Sequence, residues 1–220
     1  MMMKTDDLIE RLARGIEPVA PLQRPWLRAT MWLIGAVVYI GVLSLMMAPT
    51  GGTANGIELR FLFAQLAAIG VSAAAATAAF ASVIPGVSTR ALLWPVVAGT
   101  VWVGLLIVGT LQEWQPLGTI DLGSQREWLC VGMIALGGAI PAMAMAAMLR
   151  NGAPLTPRAT IALVVLAATG LANVGACISN PHPSSAAILI WHGATILSLV
   201  AASAPVGRIV LSWERIRRPH

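Results

Sequence analysis

The chain has 220 residues, of which 57% are hydrophobic and only 10% charged. A soluble domain carries about 25% charged residues, so the composition excludes an ordinary soluble globular domain and implies apolar side chains that face lipid as well as one another. The net charge of +5, from 14 Lys and Arg against 9 Asp and Glu, is the kind of excess that sets topology in a bilayer, and nucleic-acid binding is a poor reading of it.

Residues 1–28 are polar and mixed in charge. Thr5 can cap a short helix, with Asp6 and Asp7 at the positive end of its dipole. Leu8, Ile9, Leu12 and Ile16 then fall on one face, while Glu10, Arg11 and Arg14 lie elsewhere, and Gly15 and Pro18 end the helix. An isolated helix of about ten residues is marginal in water. Its apolar stripe therefore needs a surface, which is the membrane, the rest of the protein or a partner. The long polar stretch before the first apolar run does not read as a secretory signal.

Six apolar runs follow, near 28–48, 60–83, 91–112, 128–149, 159–178 and 186–207. The second is Ala-rich from Ala73 to Ala76, which lets neighbouring backbones approach. The fourth carries Gly137, Gly138 and Pro141. The last two form one stretch from Ala159 to Gly207 without Asp, Glu, Lys or Arg, interrupted at Asn180-Pro181-His182-Pro183. Two crossings of about 20 residues turned at that break fit a hydrocarbon core of roughly 30 Å. Trp26, Trp32, Trp114, Trp128 and Trp213 fall near span ends, as interfacial anchors do.

With the N-terminus taken as cytoplasmic, the inner segments hold 12 of the 14 basic residues and the outer loops only Arg60 and Arg126. That split follows the positive-inside rule and puts both termini in the cytoplasm. No charged residue lies in the core of a span, which argues against a proton-coupled pump or a carboxylate ion site. The intramembrane polar groups are Gln65, Ser72, Thr77, Thr100, Thr169, Asn173, His192 and Ser198, expected to bond between helices. No Gly-x-Ser-Gly stands in a span, and there is no Cys-x-x-Cys, His-x-x-x-His or P-loop. Protease, thiol oxidoreductase and ATPase readings therefore lack support.

Two cysteines are too few for a disulfide scaffold. Cys130 lies at the outer start of the fourth span. Cys177 is 19 residues beyond Arg158, about 28 Å of helical rise, and so reaches the same outer depth. His182 follows in the outer turn, and His192 sits a turn or two into the sixth span. Two unrelated apolar thiols remain an equal reading of this spacing.

The opening Lys4-Thr5-Asp6-Asp7-Leu8-Ile9-Glu10-Arg11-Leu12-Ala13, Cys130 with Pro141, Cys177 with Pro181 and Trp191, and the tail Arg208-Ile209-Val210-Leu211-Ser212-Trp213 together resemble the NrsF family of six-span bacterial anti-sigma factors. The resemblance covers the whole chain. It implies an inner-membrane protein whose cytoplasmic N-terminal segment binds an extracytoplasmic-function (ECF) sigma factor. It makes Thr5, Asp6, Asp7, Leu8, Ile9 and Leu12 the sigma contact. It also makes Cys130 and Cys177 thiols that sense heavy-metal or oxidative stress. No resident cofactor is expected. A transient soft metal ion on Cys130, Cys177 and His182 is one form the signal would take; a disulfide between the cysteines is another.

The expectation is an all-α membrane protein that is not an enzyme. Residues 1–27 form the sigma-binding segment, 28–207 the six-span domain and 208–220 a basic cytoplasmic tail. The alternatives are a small-solute transporter or channel, and a structural subunit of a membrane complex.

Overall fold

The computed structural model describes residues 9–10, 23–47, 58–84, 86, 89–117, 127–150, 156–179 and 184–210. Its long elements are six helices: α1 (Pro25–Met47), α2 (Leu59–Ala81), α3 (Leu93–Leu117), α4 (Glu127–Leu149), α5 (Pro157–Ser179) and α6, which runs from Ser185–Ala187 through a π-turn at Ile188–His192 into Gly193–Val210. All six contain stretches long and apolar enough to cross a bilayer. They match the expected runs to within a few residues, and α5 and α6 are the two arms of the expected hairpin. The chain is a multi-pass membrane protein.

The helices alternate in direction, so the bundle has two distinct ends. At the near end, the start of α1 meets the ends of α2 and α4: Arg28 donates to Met148 O, and its guanidinium lies 4.7 Å from the centre of the Phe80 ring. Ser82, just past α2, meets Thr160 at the start of α5 at 2.8 Å. At the far end, Ser179 Oγ of α5 donates to Ser44 O of α1 at 3.3 Å, and Arg60 of α2 donates to Gln112 of α3 at 3.2 Å.

The bundle is organised around α5. In its membrane span 72% of residues are buried, against 22% in α1 and α3, which face lipid over most of their surface. Lipid tails are as apolar as leucine, so helices in a bilayer associate through close packing rather than through the hydrophobic effect. The small residues of α5 supply that packing. A Cβ added at Gly170 would lie 2.7 Å from Ser72 Oγ of α2, and one at Gly175 would lie 2.5 Å from Ile40 of α1. Gly138 of α4 packs on Thr169, and Gly207 of α6 lies against the Pro157 backbone. The alanines of α2 serve the same end, with Ala75, Ala76, Ala78 and Ala79 all buried.

Two expectations change. Trp32 is not an interfacial anchor: it is 4% exposed, and its indole N–H donates to Pro141 O at 2.9 Å. An indole that finds a buried acceptor joins the core instead of the headgroup region. Trp26 and Trp114 are about half exposed, as anchors are. The intramembrane hydroxyls mostly do not join helices. Ser72, Thr77, Thr100 and Thr169 each donate to the carbonyl four residues back in their own helix, an acceptor always within reach of a short β-hydroxyl.

Candidate functional site

Both cysteines lie in one buried apolar cluster at the far end of the bundle, with Met133 and Ile134 of α4, Val174 and Ala176 of α5, and Ile188 and Ile196 of α6. Cys130 is 6% and Cys177 1% exposed, and neither is in a disulfide. The expected common depth and the α4–α5 neighbourhood are both present. The thiols nevertheless face the protein interior rather than the outer solution, because the small residues of α5 draw its neighbours in around Cys177.

Cys177 makes polar contacts within its own helix and with α6. Its sulfur is 3.9 Å from Asn173 Oδ1 and 3.7 Å from His192 Nδ1, and the two nitrogen and oxygen atoms are 2.7 Å apart. An amide oxygen only accepts, so His192 Nδ1 is the protonated ring nitrogen and donates to Asn173. Asn173 and His192 are both fully buried. The cluster owes its register to the hairpin. Asn173 lies six residues before the end of α5, and His192 seven residues into α6. Each is thus about 10 Å below the turn.

The geometry of α6 completes the arrangement. Its start is capped twice: Ser184 Oγ accepts from Ala187 N at 3.0 Å, and the Glu113 carboxylate of α3 accepts from Ser185 N–H at 3.0 and 3.2 Å and from Ser185 Oγ at 2.7 Å. A carboxylate on the open N–H groups of a helix start is favourable in charge and in hydrogen bonding. Ile188–His192 then forms the π-turn, after which the Gly193 N–H reaches both Ile188 O and Ile190 O. Ile188 also lines a cavity of about 160 Å³ beside Arg60 and Glu113.

Among the described residues, no three His, Cys, Asp or Glu side chains gather closely enough to hold a metal ion. His182 lies outside the described residues, as do Thr5, Asp6, Asp7, Leu8 and Leu12. Of the expected sigma contact only Ile9 is described; it is helical and 59% exposed. Sequence reasoning named Asn173 only as an intramembrane polar group, and placed His192 a turn or two into the sixth span without joining it to Cys177. Counting inward from the Asn-Pro-His-Pro turn would have put them at equal depth, but facing each other requires the π-turn.

The family described as NrsF, negative regulator of sigma F, matches residues 12–213. The chain belongs to the NrsF family. No curated protein and no solved structure matches it. Membership makes this chain a negative regulator with a sigma factor as its partner. The matched range spans all six helices of this NrsF-family chain and begins at Leu12, so the other five residues of the expected sigma contact precede it.

Proposed function

We propose that this chain is an anti-sigma factor of the bacterial cytoplasmic membrane. It holds an ECF sigma factor through residues 5–16 and releases it when a soft metal ion or an oxidant engages Cys130 and Cys177. The family match across the six-span domain carries the reading. The mechanism is sequestration rather than catalysis. The stripe of Leu8, Ile9 and Leu12 occupies an apolar groove of the sigma factor and keeps it from RNA polymerase. Both termini face the cytoplasm, where the sigma factor is. The transporter alternative needs polar groups free to coordinate a solute, whereas the described hydroxyls of the spans are largely engaged with their own backbones.

Burying one Leu side chain contributes roughly 1.5–3 kcal/mol. Leu8→Asp should therefore weaken capture by more than about tenfold and switch on the sigma-dependent genes without stress. Full repression by this variant, normally expressed and inserted, would remove residues 5–16 from the contact. The Cys130→Ser, Cys177→Ser double variant tests the sensory half. It should retain the sigma factor at rest and fail to release it on exposure to cadmium, chromate or peroxide. A response equal to wild type would leave the cysteines as packing residues.

A further inference from the structure

The polar surroundings of Cys177 lie partly on the last span, and the backbone of that span departs from regular helix where it supplies them. His192 ends the π-turn Ile188–His192, has no exposed surface, and places Nδ1 2.7 Å from Asn173 Oδ1 and 3.7 Å from Cys177 Sγ. Without the extra residue of the π-turn, position 192 would sit about 100° further round the helix axis, turned away from α5. Single π-turns inside α-helices are rare and occur frequently at functional sites. The cluster is also more polar than packing requires. Asn173 Oδ1 takes both contacts, while Asn173 Nδ2 is buried without a hydrogen-bond partner, an arrangement that an apolar side chain would avoid.

We propose that His192 is the positioning residue of Cys177. Its Nδ1–H, given to Asn173 at rest, turns to the Cys177 sulfur when that thiol becomes thiolate, and the π-turn holds the ring where one N–H reaches both acceptors. The inference rests on Cys177 being a sensory thiol. In the step itself the S–H bond breaks with its electron pair left on sulfur, and the proton passes to water at the far end as an electrophile or soft cation arrives. Nothing is oxidised or reduced. The switch from oxygen to sulfur needs rotation of one side chain. It moves the bond between α5 and α6 from Asn173 to Cys177, four residues further along α5, so the chemical state of Cys177 is felt by the last span.

The test uses the full-length protein in proteoliposomes, in a Cys130→Ser background that leaves Cys177 as the single thiol, with N-ethylmaleimide as the probe. His192→Leu should slow alkylation of Cys177 by about tenfold or more, since a donor to the reacting anion is lost. His192→Asn sets an amide N–H near the place of Nδ1 and should restore most of the rate. His192→Phe keeps the aromatic volume, should react as slowly as the Leu variant, and serves where the Leu variant does not insert. If His192 were merely structural, its loss would loosen the packing, and alkylation would be unchanged or faster; that result overturns the proposal. Alkylation of Cys130 in a Cys177→Ser background should be indifferent to His192→Leu, and equal slowing at both sites would also overturn it. A Cys177→Ser strain that still responds to the inducer sinks the sensory reading instead, whatever the alkylation rates show.

Discussion

Gly109 of α3 faces Ser185 of α6 so closely that a Cβ there would lie 2.4 Å from Ser185 Oγ and 3.0 Å from Ser185 Cβ. The hydroxyl cannot swing aside without loss, because it donates to Glu113 Oε1 at 2.7 Å. Gly109→Ala must therefore break that bond or part α3 from α6. A hydrogen bond to a charged acceptor contributes about 1.5–3 kcal/mol, and forced overpacking costs about 1–3 kcal/mol. The two outcomes are alternatives, so the expected destabilisation is about 2 kcal/mol. Ser185→Gly removes both clashing atoms, and Gly109→Ala on that background should cost less than about 0.5 kcal/mol. Reversible unfolding by dodecyl sulfate in mixed micelles, followed by tryptophan fluorescence, gives all four corners of the cycle. Additivity of the two substitutions to within about 0.5 kcal/mol would show that Gly109 and Ser185 do not meet as described.

Other outcomes follow from the same structure. Trp32→Phe keeps a ring in the α1–α4 contact but leaves Pro141 O without its indole donor; the same unfolding assay should register a loss of about 1 kcal/mol, and no loss would mean the bond contributes nothing. Gly207→Ala sets a Cβ 2.5 Å from the Pro157 carbonyl oxygen, a backbone atom with little freedom to retreat, so it should exceed Gly109→Ala in cost. Reporter fusions at Gly118 and Ala153 should read outside and inside respectively; the reverse pattern would refute the cytoplasmic placement of the termini.

Span number and position were legible because what marks them is local. Each run is bounded by charge, proline or a polar turn, and the bilayer fixes its length. Which face of each span turns inward was not legible. On α1 the buried stripe Ala29, Trp32, Ala36, Ile40 and the lipid-facing stripe Met31, Ile34, Val38, Val42 are both apolar, so no contrast in hydropathy separates them. What distinguishes them is size and fit to α4 and α5, which a single sequence does not display. That is why Trp32 reads as an anchor and is found in the core. The cysteines show the same divide. Their depth follows from counting residues, whereas the contact of Cys177 with His192 depends on a one-residue irregularity in α6 that no residue type announces.

That contact also bears on how a far-end event would reach the near end. The segment proposed to hold the sigma factor precedes α1 in the chain, and α1 is fastened to both cysteine-bearing helices. To α4 it is tied by Arg28 on Met148 O and Trp32 on Pro141 O. To α5 it is tied by Ser179 on Ser44 O and by Gly175 packed against Ile40. Close-packed helices shift between discrete arrangements rather than bending continuously, so a change in the angle of α4 against α5 must be taken up by α1. A signal drives such a change only if it binds the two arrangements with different affinity. Under the proposed mechanism Cys177 supplies that difference. At rest the His192 N–H is given to Asn173 and in the thiolate state to Cys177, one turn further along α5, so the two states favour different settings of α6 against α5. On that mechanism the output would pass from α5 to α1 at Gly175, two residues before the thiol, where α5 packs on Ile40.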